Sequence, residues 1–91
     1  MIILDARKMV KKSEAHEYLK QVLDLPDYYG KNLDALHDCL TEMNGEQFGF
    51  IHEDEGGDYF RKVMRVFKDA VRENESLSIV DEWPEEENDE L

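Results

Sequence analysis

Chemistry-bearing features are scarce in this chain. A single cysteine, Cys39, among 91 residues excludes an intramolecular disulfide and suits a reducing compartment. No basic segment followed by an apolar run opens the sequence, so no secretory signal is expected. No stretch of about 18 apolar residues offers a membrane span. Gly-rich phosphate loops and nucleophile motifs are missing too, which argues against an enzyme, and no cofactor or metal is called for. Positive charge is also in short supply: 11 Lys and Arg stand against 23 Asp and Glu, a net charge of −12. Such a chain is repelled by nucleic acid and anionic membranes and favours basic partners. It attracts them fast and in a salt-sensitive way. The expectation is a soluble, cytoplasmic protein, monomeric when free.

What is present is enough for one core. The hydrophobic fraction of 41% supports a single domain of two layers. Met1 to Asp5 reads as a short buried strand. From Ser13, a candidate N-cap, the residues Ala15, Leu19, Val22 and Leu23 recur at helical spacing, with His16 off that stripe and solvated. Pro26 ends this helix. Asn32 caps a second helix running to about Met43 and closed by Asn44-Gly45. Phe48 to His52 is a second strand. Gly56-Gly57 is a joint, and Asp58 is the candidate N-cap of a long third helix with Phe60, Val63, Met64, Phe67, Ala70 and Val71 along its apolar stripe. Ser76 to Val80 is the third strand. The order β-α-α-β-α-β predicts an α/β fold, a small parallel sheet with helices packed against it.

Residues Asp81 to Leu91 carry seven acids and no Lys or Arg. A block of that kind reads as a solvated, disordered tail, which divides the chain into a domain of residues 1–81 and a tail of 82–91. The domain keeps its own charge asymmetry. From Asn32 to Phe60 there are eight acids and no Lys or Arg, while Arg61, Lys62, Arg65, Lys68 and Arg72 form a separate basic patch.

The second helix is the centre of the acidic side. At about 100° per residue, Leu33, Leu36, Cys39, Leu40 and Met43 share one face. Asp34, Asp38 and Thr41 share the opposite face, with His37 at its edge. Asp34 and Asp38 are like-charged i,i+4 neighbours, which costs a few tenths of a kcal/mol; a site for a cationic partner tolerates that cost. Tyr28 and Tyr29 sit in the preceding turn, one ring plugging the core and the other on the surface. Gly30 is expected to supply a backbone conformation that a side chain disfavours.

The run from Leu25 to Thr41 resembles the signature of the barstar family, intracellular inhibitors of microbial guanyl-specific ribonucleases. The matching pieces are Tyr28-Tyr29-Gly30, Asn32-Leu33-Asp34-Ala35-Leu36 and Asp38-Cys39-Leu40-Thr41. A weaker match lies at Val66-Phe67-Lys68-Asp69-Ala70, followed by Glu73, and together they cover about a quarter of the chain. The resemblance implies a barstar-like fold with three parallel strands. It also implies a basic ribonuclease of the barnase-like class as partner, with the second helix and its preceding loop in the enzyme's cleft. On that basis Asp38 takes the place of a substrate phosphate against arginines and the catalytic histidine, and Asp34 pairs with a rim arginine. Asp69 reaches a lysine and Glu73 is a peripheral acid. Tyr28 stacks on the catalytic histidine, and Gly30, Asn32 and Thr41 supply shape and backbone contacts. Guanidinium groups do bind carboxylate bidentately much as they bind phosphate.

Four departures stand out. His37 replaces a tryptophan of the family's best-known member, and Glu42-Met43 replaces its Gly-Trp pair. Asp69 is one methylene shorter than the usual glutamate. The short segment before the last helix leaves no room for one small helix of the family. Two other readings compete: a metal or acid–base centre at Asp34, His37 and Asp38 or at His52, Glu53 and Asp54, neither with diagnostic spacing, and an acidic interaction module for a basic partner other than a ribonuclease.

Overall fold

The computed structural model describes residues 1–80; the boundary at 81/82, the acidic tail and Trp83 lie outside the described residues. Three strands form one parallel sheet in the order β1 (Ile2–Asp5), β2 (Glu46–Ile51), β3 (Leu77–Val80). Helices α1 (Lys12–Leu23) and α2 (Leu33–Thr41) connect β1 to β2, and α3 (Gly57–Glu73) connects β2 to β3. The architecture is therefore α/β in the expected order, with two additions, 3₁₀ turns at Ala6–Met9 and Glu53–Glu55. The short second turn occupies the segment where a small helix was expected to be missing. Among the described residues no helix is long and apolar enough to cross a membrane.

Register explains the layering. Ile2 is opposite Phe48, Leu4 opposite Phe50, and Phe48 opposite Ile79, so alternate positions bring Leu4, Phe48, Phe50 and Leu77 to one face. That face is the floor of the core, and all four side chains are buried. Phe67 of α3 stands edge-on to both Phe48 and Phe50, with ring centroids 5.0 and 5.2 Å apart, the arrangement that aromatic quadrupoles prefer. Val63, Ala70 and Phe60 complete the α3 stripe, and Leu36 and Leu40 bring α2 against it.

Helix ends differ from the expected caps. Helix α1 begins at Lys12 with Lys11 as an N-cap that makes no side-chain bond, so Ser13 lies inside the first turn. It stops before Pro26: Asp24 turns left-handed at φ 57°, and its N–H bonds the Lys20 carbonyl. Helix α3 begins at Gly57, so Asp58 is a first-turn residue paired with Arg61 rather than a cap. Gly56 is there for space. A Cβ on it would lie 2.6 Å from Phe60, so the chain enters α3 pressed against a core aromatic.

Candidate functional site

The loop between α1 and α2 is held from several sides. The amide of Tyr29 donates to the Pro26 carbonyl at 2.9 Å, which closes a tight turn and sends the two tyrosines in opposite directions. Tyr28 is 85% exposed and Tyr29 only 5%. The Tyr29 hydroxyl lies 2.6 Å from Nδ1 of His16, and the Tyr59 hydroxyl 2.6 Å from Nε2 of the same ring. His16 is thus not solvated as its sequence position suggested; it is 0% exposed. It precedes Leu19 and Leu23 on one face of α1, and both ring nitrogens find partners, which is what permits a polar ring in a core. Burial holds its pKa below the usual histidine value, and burial pushes that of Tyr29 up, so the ring is neutral and the phenol keeps its proton.

Gly30 also departs from expectation. The left-handed residue is its neighbour Lys31, at φ 58°, steadied by an ion pair to Glu17 of α1. Gly30 instead leaves room: a Cβ there would lie 3.3 Å from Asn32 Nδ2 and 3.4 Å from Ala35 Cβ. Its carbonyl accepts from Asn32 Nδ2 at 3.3 Å. Asn32 caps α2 as expected, its Oδ1 accepting the Ala35 amide at 2.8 Å.

On α2, Leu36 and Leu40 are buried while Leu33, Cys39 and Met43 are half-buried against the core. Asp34 and Asp38 are exposed on the outer face, and neither makes an ion pair among the described residues. Thr41 Oγ1 donates to the Asp38 carbonyl at 2.9 Å, spending its proton on the helix. Burial, with the charges of Glu42 and Asp38, raises the Cys39 pKa, which keeps it a thiol. The far end of α2 is held by Asn74, whose Nδ2 donates to the Thr41 and Met43 carbonyls at 3.1 and 2.9 Å. No sequence signal marked that role. His16 was readable, at three and seven residues before Leu19 and Leu23.

The remaining candidate residues are already engaged. His37 Nε2 is 3.2 Å from Glu73 Oε2, joining α2 to α3. Asp69 pairs with Arg72, one turn further along α3. The structure therefore brings Tyr28, Gly30, Asn32, Asp34, Asp38 and Thr41 onto the loop and the outer face of α2, and sets His37, Asp69 and Glu73 at the α2–α3 side with their side chains already engaged. Two hollows flank this ridge. One of about 550 Å³ runs among Leu25, Tyr28, Asp38, Cys39, Glu42 and Met43, and one of about 720 Å³ lies by Lys12, Asn32, Asp34, Tyr59 and Lys62.

The rival clusters fare differently. His52 is exposed, with Nδ1 3.4 Å from Glu55, and among the described residues no group of three or more His, Cys, Asp or Glu is placed to hold a metal ion.

Comparison with known proteins gives two findings. Residues 1–82 match the model of the family described as Barstar (barnase inhibitor). A protein of Bacillus subtilis (strain 168) named "Putative ribonuclease inhibitor YrdF" is 58% identical over 40 residues, 44% of this chain and 44% of that one. The similarity thus spans less than half the length of that relative.

Proposed function

The chain belongs to the barstar family, and on that premise we propose that it is a ribonuclease inhibitor, a binding protein rather than an enzyme. Its partner is a basic, guanyl-specific microbial ribonuclease of the barnase-like class. The loop and α2 enter the active-site cleft, and Asp38 stands where a substrate phosphate would. The observation that carries this reading is the pair of exposed carboxylates, Asp34 and Asp38, unpartnered among the described residues and set beside the exposed ring of Tyr28. Cationic side chains lining a phosphate-binding cleft match such a surface in charge and in bidentate geometry. The relative's name, ribonuclease inhibitor, agrees.

The departures have structural consequences for this reading. His37 offers a smaller ring than tryptophan and is tied to Glu73, and Asp69 is tied to Arg72. A partner lysine must therefore compete with Arg72 for Asp69, so this side contributes less than the Asp34–Asp38 stripe.

Titration into such a ribonuclease, following RNA cleavage, tests the proposal. Stoichiometric inhibition is expected. Asp38→Ala should weaken it by about 3–5 kcal/mol, because the enzyme's cations are left buried without a counter-charge. If the natural sequence leaves cleavage unchanged at excess, ribonuclease inhibition is rejected, and capture of another basic partner through Asp38 would then support the interaction-module reading.

A further inference from the structure

The loop that presents Tyr28 makes its innermost contact through His16, and that contact has a second, more distant support. His16 sits on α1, Tyr29 on the loop, and Tyr59 in the first turn of α3, with the two hydroxyls 2.6 Å from opposite ring nitrogens. The Tyr29 ring is tilted 49° to the imidazole and the Tyr59 ring stands nearly edge-on at 73°, so both tyrosines also pack on it. A neutral imidazole has one donor and one acceptor nitrogen. Each hydroxyl must therefore match the nitrogen it faces, and fixing the proton at one end fixes it at the other. The three groups form a directional chain from α3 through α1 into the loop.

We propose that His16 is a positioning residue for the partner-binding loop, and that Tyr59 sets the orientation through which it acts. The assignment deepens the inhibitor reading and rests on it for the loop's purpose, though not for the geometry. Tyr29 and Tyr28 are adjacent, and the turn bond from the Tyr29 amide to the Pro26 carbonyl makes the segment between them stiff. Holding the Tyr29 hydroxyl therefore holds the direction in which Tyr28 leaves the surface. Asp58 and Arg61 neighbour Tyr59 on α3 but pair with each other, so they leave its hydroxyl to the imidazole. Lys12, on α1, is the charged group whose field reaches His16.

Two isosteric replacements separate positioning from bulk stability. Asparagine carries its amide at the level of Nδ1 and keeps the link to Tyr29; glutamine reaches one bond further, to the level of Nε2, and keeps only the link to Tyr59. In the free, full-length protein, amide hydrogen exchange at Tyr29 is compared with that at Phe67, a buried residue of α3. Relative to Phe67, the Tyr29 amide should exchange about five- to tenfold faster in His16→Gln, the effect of losing the hydrogen bond to the loop itself. In Tyr59→Phe and in His16→Asn, which both keep the Tyr29 link and lose the Tyr59 link, the acceleration should be alike and smaller, about two- to threefold. Equal acceleration of both amides in all variants, or equal behaviour of the asparagine and glutamine forms, overturns the proposal. This measurement needs no ribonuclease, so it decides the positioning role even if inhibition fails. Where inhibition holds, His16→Gln should bind more weakly than His16→Asn.

Discussion

Helices α2 and α3 lie against each other and handle charge in opposite ways. On α3 two of the acids have bases three residues ahead: Asp58 with Arg61, and Asp69 with Arg72. Those carboxylates are neutralised on the helix itself, and Lys62, Arg65 and Lys68 leave it with an excess of positive charge. Helix α2 has no Lys or Arg, and its two outer carboxylates repel each other one turn apart. Among the described residues its one side-chain contact with an acid of another element is that of His37 Nε2 with Glu73 Oε2, across the helix boundary. An exposed pair such as those on α3 contributes little and asks nothing of a partner. An uncompensated stripe costs the free protein a few tenths of a kcal/mol and is relieved only by cations from outside. The contrast separates a helix with two carboxylates paired to its own bases from one whose outer carboxylates have no partner among the described residues.

Reversing one charge on each helix should break the comparison most sharply. Asp38→Lys should raise the inhibition constant by more than about a thousandfold, since a repulsive cation replaces a buried counter-charge. The same change should stabilise the free protein slightly, because it turns the Asp34 repulsion into attraction; a thermal melt reads that. Arg65→Glu on α3 should change inhibition by less than about threefold, a steering effect alone. Comparable losses from both would erase the distinction.

Stability should divide the other way. Gly56→Ala places a methyl against Phe60 at the start of α3 and should cost about 1–3 kcal/mol in denaturant unfolding, with inhibition by the folded fraction retained. A pH titration gives a third, smaller effect. Unfolded His16 takes a proton near pH 6.5, whereas the buried ring, faced by the Tyr29 and Tyr59 hydroxyls and by Lys12, takes one only at lower pH. The unfolded state then holds the extra proton, so stability is lost as pH falls below about 6.5, by up to about 1.4 kcal/mol per pH unit. His16→Asn should flatten that slope. Smallest of all, Asp58→Asn should leave both melting and inhibition within error, because a pair so exposed is screened.

Local chemistry was legible and tertiary demand was not. Asn32 as a cap, the two faces of α2 and the α3 stripe could be read because each depends on neighbours within one turn. The β-α-α-β-α-β order followed from where the period changed. Ser13 and Asp58 misled because capping residues are common, while the true helix ends were set by Lys11 and Gly56. Gly30 and Gly56 look alike in sequence, yet one makes room for Asn32 and Ala35 and the other for Phe60. The pairing of His16 with Tyr59 spans 43 residues, and no periodicity announces it. Asp34 and Asp38 were visible from the outset; that they lack partners among the described residues needed coordinates.

The sheet register has a consequence for how this protein comes into being. Ile2 to Asp5 pair with Phe48 to Ile51, and Glu46 to Gly49 with Leu77 to Val80, so both strand pairings among the described residues are distant in sequence and slow to form. During synthesis α2 leaves the ribosome well before α3, the helix against which Leu36 and Leu40 pack. A nascent chain thus displays the acidic residues without the scaffold that aims them.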